Sequence, residues 1–308
     1  MSLHETPDPY DPAAFRAGLV EHGFLLPTGV RGGDGRTAKF EDILERFDAL
    51  VMRETAGDGA QPLHFPPIVA RALIERLGYL GNFPQLVGSI HSFFGDEKTA
   101  RELAALADAG QRWEHLLEPA ETMLLPAACY PVYPLFSGLV PAQGRLVTTR
   151  NWCYRHEPSD EPTRLQSFRM REFVRVGAPE AVQAWRDAWL ERGLALLRGL
   201  GLPAASDVAS DPFFGRAGRM MATSQRDQRL KFEIVVPVIS AGKPTAVCSF
   251  NWHQEHFTST FGIRRPDGAL AHTACLGFGL ERVTLALIKA HGFDLDAWPA
   301  AVRAPLWG

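Results

Sequence analysis

Five short β-type runs in the second half of the chain, at residues 146–149, 151–155, 172–176, 231–238 and 245–250, constrain the fold more than any other feature. They are rich in branched and aromatic residues and bounded by turn formers. Two helical patterns interrupt them. Val182, Trp185, Trp189, Leu190, Leu194 and Leu197 recur at helical spacing within 180–200, and 280–291 supplies the second. Strands on hairpin-length loops, with helices grouped between them, do not alternate as a βαβ array does. They predict an α+β fold, an antiparallel β-sheet flanked by helices.

The first half is more helical. Phe40, Ile43, Leu44, Phe47, Leu50 and Val51 predict an amphipathic helix between 37 and 55. Pro66-Pro67 is expected to open a second helix through 71–77, closed at Gly78, because Pro suits a first turn. Residues 86–94 read as a strand and 97–117 as a third helix. Residues 1–36, rich in Pro, Gly and Asp, read as a loosely ordered N-terminal extension or capping piece. That leaves 37–308 as a single domain.

Composition excludes whole classes. Lys plus Arg number 32 and Asp plus Glu 35, a net charge of −3, so the chain offers no broad basic footprint for nucleic acid. The N-terminus has neither the basic nor the apolar part of a signal peptide, and no apolar run approaches the ~20 residues of a membrane span. Four cysteines in 308 residues make no disulfide scaffold, so a cytoplasmic protein with free or metal-bound thiols is expected. Neither a Gly-x-x-x-x-Gly-Lys-Ser/Thr phosphate loop nor a Gly-x-Ser-x-Gly elbow occurs.

Chemistry concentrates in three places. Arg155-His156-Glu157, a polar loop, and the return run 167–175 read as strand, loop, strand. There an Arg can fork onto a phosphate and an aromatic can stack a base, though a charged hairpin pairing across strands reads equally well. Gly277-Phe278-Gly279-Leu280-Glu281-Arg282 opens a helix, so its glycines either admit a ligand or let helix and sheet pack closely. Cys129, Glu172 and Cys275 are 43 and 103 residues apart. Two thiolates and a carboxylate suit Zn²⁺ with a fourth position open, but small buried cysteines explain the same residues. His253 and His256, three apart as on one helical face, are a rival metal pair or a solvent-facing one.

Arg155-x-Glu157, a loop, Phe173, and then the Gly-x-Gly-x-Glu-Arg run ending at Arg282 resemble motifs 2 and 3 of class II aminoacyl-tRNA synthetases. Residues 77–84, a helix end leading to Pro84, are loosely similar to the dimer-forming motif 1. Cys129, Glu172 and Cys275 fall where the zinc-dependent seryl-tRNA synthetases of methanogens carry a Cys, Glu, Cys set gripping the substrate amine. Only about 120 residues precede Cys129, without a heptad-patterned tRNA-binding arm. The chain is therefore identified as a member of the bacterial amino acid:carrier-protein ligases, truncated relatives of that catalytic domain. These activate glycine or alanine with ATP and load it onto the phosphopantetheine thiol of a small carrier protein.

The resemblance implies roles residue by residue. Cys129, Glu172 and Cys275 would hold one Zn²⁺ per chain, with Glu172 beside the amino acid. Arg155 would hold the α-phosphate, Arg282 the γ-phosphate, Glu157 the adenine and Phe173 its stacking face. Arg164, Leu165 and Lys231 would touch the nucleotide, and Ala246, Val247, Cys248 and Ser249 would line its site. Mg²⁺ would accompany ATP, with Glu233 its protein ligand. Cys153 reads as a core thiol, and Cys248 also reads as buried. Arg216 and Arg219, in a segment with four arginines against one acid, would flank the dock of an acidic carrier protein, although a solvated helix face explains them too. A homodimer that binds neither tRNA nor membrane is expected. A minimal tRNA synthetase, a tRNA-modifying paralogue and a silent synthetase-like regulator are the alternatives. The presence of Arg155, Glu157 and Arg282 argues against the last.

Overall fold

The computed structural model describes residues 11–308. Its centre is a seven-stranded sheet: β1 (Gln61–Leu63), β2 (Arg145–Tyr154), β3 (Ser167–Gly177), β4 (Ala205–Val208), β5 (Lys231–Val236), β6 (Thr245–Gln254) and β7 (His272–Gly279). The order across it is β4-β5-β6-β7-β3-β2-β1. Every pairing is antiparallel except β1 with β2, which is parallel. The expected antiparallel α+β architecture is present, with one parallel edge strand added. Residues 146–149 and 151–155 join into the single strand β2, because Arg150, read as a break, keeps the strand going while its guanidinium reaches Glu45 and Asp48.

Alternation along the strands sorts the two faces. Phe173 on β3, Phe232 and Ile234 on β5, Phe250 on β6 and Leu276 and Phe278 on β7 point into one core. Helices α1 (Ala38–Glu54), α2 (Pro179–Gly199) and α4 (Leu280–His291) cover it with Phe47, Trp189, Leu194 and Val283. Polar residues of β3 on this side meet α1 instead: Arg169 forks onto Glu41, and Arg171 onto Asp48, at 2.6–2.7 Å. The opposite face carries the cavity described below. Behind it lies a second apolar cluster, including Val132, Tyr133, Val174, Val176 and Phe257.

Three local expectations are corrected. Residues 11–36 are not loose: a helix at Pro12–Glu21 and the paired strands Leu25–Leu26 and Gly35–Arg36 send Phe15, Leu19, Phe24 and Leu25 into the main core. The part of that extension before residue 11 lies outside the described residues. Pro66-Pro67 opens no helix. Proline disfavours the helical region in the residue before it, and the chain runs on extended as Ile68–Ala70, paired with 122–124, before a short helix begins at Arg71. The helix expected over 97–117 ends at Asp108, because Gly110 takes φ +64° and the Gln111 amide reaches back to the Leu106 carbonyl. Within 77–84, Tyr79–Asn82 forms a helical turn that leads to a 3₁₀ turn at Pro84–Leu86 beside the cavity.

Candidate active site

A cavity of about 500 Å³ opens on the sheet face away from α1, lined from β3, β5, β6 and β7. At its floor the Sγ atoms of Cys129 and Cys275 and a carboxylate oxygen of Glu172 lie within 4.8 Å of one another. All four cysteines are free thiols. The segment before Cys129 wraps over Glu172, whose oxygens accept hydrogen bonds from the Ala128 and Cys129 amides at 3.2 and 3.1 Å. Glu172 reaches this place because residue 277 is glycine. A Cβ there would stand 2.8 Å from Met170 Cε and 3.3 Å from Glu172 Cγ.

Burial of these groups has electrostatic consequences. Desolvation, followed by the charge of Cys275, pushes the Glu172 carboxyl up to about 7. The thiol pair shares its protons unequally. The hydrogen bond from Cys129 draws Cys275 well below the ordinary thiol range, helped by His253 and Asn251, while Cys129 is driven up as the donor. A buried thiolate beside a buried carboxylate is costly unless a cation offsets the charge. Two sulfurs and one oxygen are zinc donors, and a mutual spacing below 4.8 Å fits bonds of ~2.0–2.3 Å to one ion. The residues present fit the metal that the resemblance implies.

Arg155 and Arg282 enter the same cavity from opposite ends of the motifs. Arg155 follows β2. Its Nε donates to the Pro126 carbonyl at 3.1 Å, and its guanidinium carbon stands 5.5 Å from the centre of the Phe168 ring. Arg282, in the first turn of α4, donates to the carbonyls of Thr163 and Ala246 at 2.9 and 3.0 Å. Burial, together with Arg155, lowers the Arg282 pKa: two like charges held in one cavity are a receptor for a polyanion. Glu157 lines the cavity and accepts from Arg164 Nη1 at 2.9 Å. Glu281 is buried and anchors β3, accepting from the Arg169 amide and Nε at 2.7 and 2.9 Å.

Lys231, Glu233, Ala246, Val247, Cys248 and Ser249 all line the cavity. Arg164 and Leu165 are not among the lining residues, though Arg164 bonds Glu157, which is. Lys231 is not unattached. Its ammonium contacts Asp211 at 2.7 Å and Glu233 at 3.1 Å, and these two carboxylates outweigh burial and raise its pKa. Cys153 is a buried thiol, pushed by burial above the ordinary range. Arg216 and Arg219 are exposed on α3 (Gly215–Asp227), whose Met221, Ser224 and Gln225 form part of the cavity wall. The exposed Phe214 and Met220 stand beside them.

Two placements depart from expectation. Phe173 is 1 % exposed on the far side of the sheet, with its ring stacked on Trp189 at 6.2 Å. Adjacent residues of a strand face opposite ways, so Glu172 and Phe173 cannot share a pocket. Of the two β3 phenylalanines it is Phe168 that lines the cavity, on the same face as Met170 and Glu172. His253 and His256 occupy no common helical face: His253 lies in β6, one residue before its end, and His256 starts the next helix. Asp211 and Asn251 are cavity residues without a motif to announce them, since each is defined by partners distant in sequence: Lys231 and Gln225 for Asp211, Cys275 for Asn251.

No protein-family model matches the chain. Two curated relatives from Bradyrhizobium diazoefficiens, named amino acid–acyl-carrier-protein ligase 1 and 2, are 46 % and 44 % identical. The first match covers 88 % of this chain and 85 % of the relative, and the second 97 % and 88 %. A type-2 serine–tRNA ligase of Methanopyrus kandleri is 29 % identical over 83 % of this chain but 52 % of its own length, so the chain spans about half of it. Among solved structures, M. kandleri seryl-tRNA synthetase in complex with an Aquifex aeolicus tRNA superposes with a TM-score of 0.81 at 24 % identity. That superposition covers 94 % of this chain and 59 % of the synthetase. A prolyl-tRNA synthetase of Cryptosporidium parvum shares the fold at a TM-score of 0.67 and 15 % identity. The fold is that of a class II aminoacyl-tRNA synthetase catalytic domain, and the chain belongs to the amino acid–acyl-carrier-protein ligase family.

Proposed function

We propose that this enzyme activates a small amino acid, glycine or alanine, as its adenylate and passes the aminoacyl group to the phosphopantetheine thiol of a small carrier protein. The observation that carries the reading is the convergence in one cavity of the Cys129, Glu172, Cys275 donor set with Arg155 and Arg282. One end of such a cavity recognises an amine and the other a polyphosphate. The names of the two Bradyrhizobium relatives supply the acceptor.

In this reading Arg155 holds the α-phosphate and the attacking carboxylate, and Arg282 the γ-phosphate, so catalysis rests on positioning and charge stabilisation. Glu157 accepts from the adenine amino group, and Phe168, rather than Phe173, is the stacking face. Zn²⁺ bound by Cys129, Glu172 and Cys275 supplies a Lewis-acid contact for a neutral primary amine. Lys231 with Asp211 and Glu233 forms the charged wall on which nucleotide and Mg²⁺ are seated, with Ala246, Val247, Cys248 and Ser249 alongside. In the second step the carrier thiol loses its proton as its sulfur bonds to the carbonyl carbon and the bond to AMP breaks. The carrier docks on α3 through Arg216 and Arg219. The enzyme works as a cytoplasmic homodimer of single catalytic domains that makes no use of tRNA; exposed Leu135 and Leu139 offer apolar surface to a second copy.

Amino-acid-dependent ATP–pyrophosphate exchange across the standard amino acids tests the first half-reaction, with glycine or alanine expected to support it. Offering the activated enzyme a phosphopantetheinylated carrier protein and tRNA side by side tests the second. Label on the carrier alone is the expected outcome, and label on tRNA would replace this reading with a minimal synthetase.

A further inference from the structure

His253 lies at the floor of the cavity without a place in the chemistry so far. Its Nε2 is 3.5 Å from Cys275 Sγ and its Nδ1 is 3.2 Å from the Thr273 hydroxyl. The ring is wedged edge-on between Tyr133, 6.0 Å away, and Phe257, 4.7 Å away. From the neighbouring turn of β6, Asn251 Nδ2 donates to the same sulfur at 3.3 Å. Between them the register of β6 shifts at 252–254, and Gln254 takes φ +52°, a left-handed conformation uncommon outside glycine. A bulge of this kind re-aims side chains next to a site, and here both side chains converge on one sulfur.

Thr273 is fully buried with its hydroxyl 3.2 Å from Nδ1; with that hydroxyl assigned as the donor, the ring proton is on Nε2, facing Cys275. His253 is not a fourth ligand. Among the described residues, the mutually close donor set contains Cys129, Glu172 and Cys275 and no histidine nitrogen. An N–H aimed at a thiolate between two aromatic rings acts in a low-dielectric setting, where such a bond is strong.

We infer that His253, with Asn251, is a positioning residue for the metal site: paired N–H donors fix the Cys275 thiolate and draw charge from it, so that the sulfur gives less to the metal and the metal grips the substrate amine more firmly. The inference rests on the zinc reading proposed above and goes beyond it by assigning the groups that tune the ligand. Partners of this kind change metal affinity by about 10–100-fold when removed.

The test uses the full-length protein loaded with Co²⁺, whose sulfur-to-metal charge-transfer band reports the electron density on the thiolates and whose visible bands report coordination. His253→Phe keeps the ring packing and removes the N–H. It is expected to retain one metal per chain and tetrahedral visible bands, to move the charge-transfer band to lower energy as the sulfur regains charge, and, because that sulfur is no longer held in place, to weaken Zn²⁺ binding in chelator competition by about 10-fold or more. Asn251→Leu should act in the same direction, and His253→Gln, which restores a donor, should recover most of the shift. Thermal unfolding of each variant separates a folding defect from a metal-site effect. Unchanged band and affinity in a folded His253→Phe variant would make His253 a packing residue and overturn the inference, as would collapse of the visible bands, which would make it a ligand. Wild-type protein that takes up no Co²⁺ or Zn²⁺ would overturn the zinc reading itself, and this inference with it.

Discussion

At the scale of single residues, strand alternation decides which side chains meet substrate. Phe168 and Phe173 sit five apart on β3 and face opposite layers of the molecule. Replacing Phe168 with Ala should raise the KM for ATP in pyrophosphate exchange about 10–100-fold, the worth of one stacked base, with little change in melting temperature. Phe173→Ala should do the reverse: about 3–5 kcal/mol of stability lost in chemical denaturation, with the KM of the remaining folded protein unchanged. Arg155, Glu157, Arg282, Cys129, Glu172 and Cys275 were legible in the sequence because their order along the chain follows a motif. Alternation along β3 from Glu172 puts Phe168, not Phe173, on the cavity face. Asp211 was not legible, since its neighbours come from β5 and α3. Burial pushes the Asp211 carboxyl up, but Lys231 and the hydrogen bonds from Gln225 and Lys231 outweigh it and hold it at about 2. A carboxyl depressed on folding contributes stability above its unfolded pKa and loses that contribution as pH falls through its folded one. Wild-type stability should therefore decline from about pH 4 toward pH 2 through this group, and Asp211→Asn should flatten that part of the curve in pH-dependent unfolding.

At the scale of elements, α3 and the turn before β2 make separable demands. Helix α3 buries little of itself, Gly218 alone among its residues, and is tied to the cavity by Gln225, which bonds the Asp211 amide and carboxylate at 2.7 and 2.9 Å. A helix so lightly packed takes surface substitutions without loss of fold, so the double change Arg216→Glu and Arg219→Glu should cut thioester formation at least about 10-fold, the two charges being at the proposed dock. Pyrophosphate exchange should stay intact, and parallel loss of both activities would rule out the docking role. Gly144, by contrast, enters β2 with φ +73°, and a Cβ there would lie 2.1 Å from the Val176 carbonyl oxygen. Gly144→Ala should cost more than about 1 kcal/mol in unfolding experiments. The helix at 97–108 is capped by Asp96, whose side chain accepts from the Thr99 amide. Its end depended on one glycine's conformation rather than on apolar spacing, and spacing alone ran it too long.

At the scale of the whole molecule, the sheet separates a stabilising face from a working one. The face under α1, α2 and α4 contains the largest apolar cluster, whereas Cys129 and Cys275 belong to a separate cluster with Val132, Tyr133 and Phe257. With that apolar packing already in place, the proposed metal would not be needed to hold the fold together. Exhaustive chelation should abolish exchange activity while leaving the far-ultraviolet circular dichroism spectrum unchanged, unlike the behaviour of a zinc finger. No helix among the described residues is long and apolar enough to cross a membrane. Sedimentation should return twice the 34.0 kDa chain mass if the proposed homodimer forms.

The sequence by itself determined the class of fold and brought forward Arg155, Glu157, Glu172, Cys275 and Arg282 as candidates, because strand-length apolar runs, helical periodicity and a motif's order along the chain are local quantities. It left open whether Cys129, Glu172 and Cys275 were ligands or buried core residues, and which aromatic faced the cavity. Only the tertiary structure decided which side chains share a space, for a one-residue step along a strand moves a side chain through the sheet to the other face. Tertiary structure alone also brought His253 and Asn251 onto the Cys275 sulfur, since a β-bulge aims them there.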